Sequence, residues 1–261
     1  MKLKIILGLA IITVTSCFGQ KTKVDSLLTE FKKKSFYRNV YPAEQELENY
    51  QKIILPELIK LLKDTSIVKL TDTADLIYPG STTFYGHGHY IPYDMDWISV
   101  RSGWLLEEIT FQDFGYKNSE VNDETLFKLM KENYNSYVEK GNYDLDWKNK
   151  TSNKKIIEYQ KILSKNAEKW WKENHKKWNR ISAIKEALQS DNENRLNNVF
   201  QYLRFGDSQC DNMTRELYNI EIKPIIISLK ETTKYSKIQQ QIDLLQNGSI
   251  SSKILDKKNS R

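Results

Sequence analysis

Apolar residues recur along this chain at helical spacing, with one long interruption. Val24, Leu27, Leu28 and Phe31 fall on one face of a short helix over 24–34 that ends in a lysine run. After Pro42 the positions Leu47, Tyr50, Ile53, Ile54, Leu58, Ile59, Leu61 and Leu62 form the apolar side of a second helical stretch. A proline inside such a pattern kinks it or starts a new helix, so Pro56 divides the stretch into helices over 43–54 and 56–63, closed by Asp64. From 65 to 96 the helical period fails. Ile67, Val68, Leu70, Ile77, Tyr78, Phe84, Tyr85 and Tyr90 are interspersed with Thr, Asp, Pro and Gly, the texture of a long loop or irregular hairpin inserted between helices. An insertion of that length in a compact domain is usually either a binding segment or a mobile one.

The period resumes with Asp96 placed to cap a helix over 97–110, buried through Trp97, Val100, Trp104, Leu105 and Ile109. Further helices are predicted over 123–139, 154–178, 181–189, 192–205, 213–230 and 235–245, with a polar connection at 140–153. The polar tail 248–261 is expected to fray. Eight or nine helices without a convincing strand predict an all-α fold, an irregular array of helical hairpins forming one domain over 20–247.

Composition adds a location. Lys2 and Lys4 precede an apolar run from Ile5 to Val14, too short to span a bilayer, and small residues follow, as in an export signal. Two cleavages fit: Val14-Thr15-Ser16-Cys17 resembles a lipobox that removes 1–16 and leaves Cys17 lipidated, whereas Cys17-Phe18-Gly19 suits removal of 1–19. Either way Cys210 is the one remaining cysteine, so no internal disulfide is expected, and membrane attachment would come only through Cys17. The net charge of +6 arises from 40 basic and 34 acidic residues interleaved along helical stretches, which argues against a nucleic-acid partner. With 11% aromatic residues the chain is not of the disordered class.

One set of residues resembles a known pattern. Val100-Arg101, Trp104-Leu105, Ile109-Thr110 and Phe114-Gly115, with a later Trp170-Trp171 pair, look like a motif of bacterial HEAT-repeat proteins, although Phe111 stands where that family has glycine. The segment from Leu55 to Asp64 likewise resembles a repeat helix and its closing turn. The resemblance implies a helical-hairpin array with insertions and a role in binding, with no activity of its own.

Candidate chemistry concentrates between Thr83 and Tyr116. His87 and His89 project to one side of an extended segment, and Asp94 and Asp96 repeat that spacing, so two imidazoles and a carboxylate such as Asp94 are candidate ligands of a zinc ion. The competing reading is structural: Gly86 and Gly88 turn the chain, and Asp94 or Asp96 caps the next helix. Glu107 and Glu108 adjoin Asp113, but adjacent helical residues point about 100° apart, so one is expected to be solvated and the other paired with Arg101 or a lysine. Trp97, Arg101 and Trp104 share one side of their helix and form an expected hub that holds the 65–96 segment onto the core. Trp171, His175 and Trp178 share a face that could stack sugars or bases and is more often core.

Two functions follow from the sequence. The first is an exported, non-catalytic helical binding or scaffold protein of the bacterial cell envelope, without cofactor, whose partner is another protein and which is of immunity type in a narrower version; Tyr85, His87, His89, Tyr90, Asp94 and Asp96 are its candidate binding residues. The alternative is a metal-dependent hydrolase with His87, His89 and Asp94 or Asp96 as zinc ligands and Glu107 or Glu108 as general base.

Overall fold

The computed structural model describes residues 20–68, 70–71, 93–117, 150–248 and 250–256. The segments 1–19 with Cys17, 72–92 with Tyr85, His87, His89 and Tyr90, and 118–149 lie outside the described residues. The described residues are all-α, with no strand among them and only two isolated bridges, Ser35 with Thr71 and Ile67 with Trp97.

Helix α1 spans 20–31 and buries Val24, Leu27, Leu28 and Phe31. A π-helical turn, Phe36–Val40, leads into α2, Tyr41–Leu47, and a 3₁₀ segment, Glu48–Ile53, leads to α3, Leu55–Leu61. The expected helix over 43–54 therefore breaks early. Gln51 sits at φ 40° and ψ −116° inside it. The cause is tertiary: Gln51 Nε2 donates to Gln209 O at 3.1 Å, and Asn49 Oδ1 accepts from Gln209 N at 3.1 Å, so both side chains reach a loop far along the chain.

Helix α4, Ile98–Thr110, is the centre of the fold and packs against α3 and two later helices, α6 (Arg180–Leu188) and α7 (Glu193–Phe205). Of its residues only Glu108 is not buried. A helix enclosed on every side is normally apolar all round, yet this one carries six polar residues, and most of them are spoken for. Ser99 Oγ donates to Gln160 Oε1 at 2.8 Å on α5, Lys150–Asn174, and Thr110 Oγ1 donates to Leu106 O at 2.7 Å. Gly103 has a steric role, because a Cβ there would lie 2.1 Å from Cγ of the Tyr116 ring that crosses it.

Trp97 is the extended residue just before α4 rather than its first turn, and Asp96 does not cap the helix. The Asp96 carboxylate instead accepts from Leu70 N at 2.8 Å, while Val68 N donates to Asp96 O and Ile98 N to Ser66 O, at 2.8 and 3.0 Å. Both ends of the 65–96 insertion are thus stitched together at the start of α4. Asp94 lies in the 3₁₀ turn Tyr93–Asp96.

At the far end of α4, Phe111 takes the left-handed conformation, φ 53°, that the resembled family gives to glycine. A bulky residue is strained there, but its ring is fully buried and packs 5.3 Å from Tyr202. Phe114, just beyond, meets Trp170 edge-on at 5.5 Å, so two motif pieces more than fifty residues apart in sequence are neighbours in space. Trp170 and Trp171 are partly buried against the core and Trp178 is buried, so the tryptophan face serves packing.

Asn179 and Asn192 cap α6 and α7 through their side chains. The expected helix over 213–230 is resolved into a single turn, Arg215–Leu217, a π-helical turn, Tyr218–Ile222, and α8, Lys223–Thr232. Pro224 explains the widening, since it has no N–H to donate back and its ring crowds the preceding turn. Helix α9, Ser236–Asn247, packs on α7 and α8.

The expected fraying of the tail is corrected for 250–256. Ile250 and Ile254 are buried, Ser251 N donates to Leu203 O at 2.8 Å, and Asp256 accepts from Gln209 Nε2 and Asn212 N at 2.7 and 2.9 Å. The polar composition of the tail hid two isoleucines that backbone bonds to Leu203, Cys210 and Met213 hold against the core. Deleting 249–261 is accordingly expected to cost at least about 3 kcal/mol in urea unfolding, the burial value of two isoleucines; an unchanged midpoint would refute that packing.

Candidate functional site

A cavity of about 280 Å³ opens between α2, α4 and α7 and is closed by residues 206–208. Its floor comes from α2. Val40, Ala43 and Leu47 mark the buried face of that helix, and Glu44 occupies the same stripe. Burial and the start of α2 next to Phe36 turn Glu44 inward, with Glu48 one turn further on.

Each acid of the cavity except Glu44 has its own cation. Arg180 Nη2 donates to Glu48 Oε2 at 3.3 Å and Ser208 Oγ donates to the same oxygen at 2.6 Å, while the guanidinium lies 4.1 Å over the Tyr202 ring. Lys117 Nζ donates to Glu108 Oε1 at 2.6 Å and sits 5.5 Å over the Trp104 ring. Lys253 Nζ donates to Asp207 Oδ1 at 2.6 Å. Glu44 is 9% exposed, and among the described residues no hydrogen bond or ion pair reaches its carboxyl. Asn198 Nδ2, in the same wall, is buried without a partner.

Burial, reinforced by Glu108 and Glu48, holds Glu44 well above the ordinary carboxyl value of 4.5; the cations Lys117 and Arg101 pull the other way and lose. Glu44 therefore keeps its proton to higher pH in the folded chain than in the unfolded one. Its contribution to stability is fully present below pH 4.5 and is lost as pH rises through the higher folded value. Glu44→Gln, neutral at every pH, is expected to match the wild type in unfolding free energy at pH 4 and to exceed it at pH 8 by more than about 1 kcal/mol. A gap that stays flat between those pH values would count against this assignment.

The residues singled out from sequence are placed as follows. Trp104 forms a wall of the cavity, with Nε1 donating to Tyr116 O at 2.8 Å. Arg101 lies beneath, fully buried, donating from Nε to Met95 O at 3.1 Å, from Nη1 to Phe31 O at 2.7 Å and Lys33 O at 3.2 Å, and from Nη2 to Val68 O at 3.2 Å. Trp97 is buried beside it. Glu107 is not paired with Arg101 or with a lysine: its carboxylate accepts from the backbone N–H groups of Phe114, Tyr116 and Lys117 at 2.8–2.9 Å, and burial pushes its pKa up to about 7 against the pull of those donors. Neither Glu107 nor the salt-bridged Glu108 is disposed as a free general base.

Among the described residues no group of three or more His, Cys, Asp and Glu could hold a metal ion, and His87 and His89 lie outside them. Cys210 is fully buried, with its thiol pushed up to about 12 by burial, and has no disulfide partner among the described residues. No helix among them is long and apolar enough to cross a membrane.

No known protein family, curated protein or solved structure matches the chain. Glu44 and Asn198 did not stand out in sequence, although Glu44 had a signal: it is the acid on an otherwise apolar stripe at 40, 43 and 47.

Proposed function

We propose that the chain is an exported, non-catalytic helical binding protein of the cell envelope, and that its partner is another protein engaged at the cavity and the adjoining 65–96 segment. An immunity-type protein that neutralises a toxin is a narrower form of the same reading. The observation that supports it is the state of the cavity's charged groups: among the described residues Glu48 and Glu108 are each fixed by a cation, which leaves the buried Glu44 carboxyl to recognise a ligand. The rim adds Phe205, 60% exposed under the Arg204 guanidinium at 4.4 Å, an aromatic–arginine pair of the kind enriched at protein interfaces. Export is supported by Lys2, Lys4 and the apolar run that follows.

The test is purification of the chain at native levels from its own cell envelope, beside a Phe205→Asp variant. A stoichiometric protein partner that is retained by the wild type and lost at least about ten-fold from the variant is the expected result. A wild-type chain that migrates as an unaccompanied monomer overturns the reading.

A further inference from the structure

The acids around the cavity are one more than the cations that answer them. Glu48 has Arg180, Glu108 has Lys117 and Asp207 has Lys253, whereas Glu44 is buried with no countercharge bonded to it among the described residues. A buried carboxyl without hydrogen bonds is costly, and folding gains nothing from it that Gln or Leu on the same stripe would not supply.

We infer that the cavity binds a primary alkylammonium group, with Glu44 supplying the missing countercharge. The inference rests on the binding reading above and gives that site its ligand class. Three observations converge on it. Lys117, Arg101, Glu48 and Glu108 act on Glu44 from the neighbouring elements; Lys117 and Arg180 are taken up in the two ion pairs, and Arg101 is bound to backbone carbonyls and shared with Asp96, so an ionised Glu44 has no cation bonded to it. The Asn198 side chain forms no hydrogen bond among the described residues, so its amide oxygen is free to serve as a second acceptor. Phe36, Met95 and Trp104 supply apolar wall for a methylene chain, and about 280 Å³ is small against the range of drug-sized pockets, which suits one unbranched side arm. An entering ammonium ionises Glu44 and releases its proton to solvent, so binding tightens as pH rises.

The chemistry is shared by free alkylamines and by a lysine side chain on a protein surface, and one titration separates them. Full-length protein is titrated by calorimetry at pH 8 with n-butylammonium chloride, with n-butanol, with a short peptide bearing a single lysine, and with the same peptide Nε-acetylated. Saturable binding of n-butylammonium, none of n-butanol, and a loss of about ten-fold or more in Glu44→Gln are the expected results. Because the Gln variant is expected to be the more stable at that pH, a loss does not report unfolding. Binding of the lysine peptide but not its acetylated form assigns a protein lysine; binding of the free amine alone assigns a small amine. Equal binding by wild type and Glu44→Gln, or no binding of n-butylammonium by folded wild type, overturns the inference. Partner capture that survives Glu44→Gln would leave the binding reading standing while the ammonium assignment falls.

Discussion

Arg101→Met is expected to lower the unfolding free energy by about 4 kcal/mol or more, enough to abolish most of the stability of an ordinary domain. The side chain is fully buried, and its guanidinium joins three separate pieces of chain: the end of α1 at Phe31 and Lys33, the beginning of the insertion at Val68, and the 3₁₀ turn before α4 at Met95. Methionine fills much of the volume but leaves carbonyl oxygens buried without donors, at roughly 1–3 kcal/mol each. Burial lowers the Arg101 pKa to about 10, with Asp96 and Glu44 holding it up, so the group is charged at neutral pH and its hydrogen bonds are charge-assisted. Arg101→Lys keeps the charge and loses the fork, since one ammonium cannot span carbonyls on opposite sides; it should recover less than half of the loss. Urea unfolding at pH 7 decides the matter, and a cost under about 1 kcal/mol for Arg101→Met would remove the residue from the centre of the account.

Trp104→Ala is expected to cost about 3–5 kcal/mol through lost burial and a residual cavity. Its ring is 9% exposed, carries Lys117 above it, and donates to Tyr116 O, so its removal frees the 111–117 turn as well as emptying the wall of the cavity. Trp104→Phe keeps most of the apolar surface and loses the indole donor; a cost of about 1–2 kcal/mol is expected. Similar melting temperatures for the alanine variant and the wild type would show that the turn is held by Glu107 alone.

The helices were legible because local spacing dictates them. Asn192, Leu196, Val199, Phe200 and Leu203 state both the cap and the buried face of α7 without help from the rest of the chain. Failures occur where a distant residue takes part. The break at Gln51 depends on Gln209, the ordered tail depends on Leu203 and Met213, and the acceptors of Arg101 include carbonyls of residues 31 and 33, none of which a local window contains. Asp96 before a helix is the standard sign of a cap, and here the backbone of Leu70 captures it instead. The cavity was the least legible part: Glu44, Glu46 and Glu48 alternate with ordinary residues, and only packing separates a buried unpaired acid from a surface one.

The reach of the bonds made by residues 48–51 sets an order of events during synthesis. Glu48 waits for Arg180 and Ser208, and Gln51 waits for Gln209, some 130 to 160 positions downstream. Helices α1 to α3 therefore leave the ribosome long before their final neighbours exist, and the cavity floor cannot close until the chain is almost complete. Closing such distant contacts makes folding slow. On the proposed reading of an exported chain, late closure would be an advantage, because the leading segment would stay loose enough to pass a membrane.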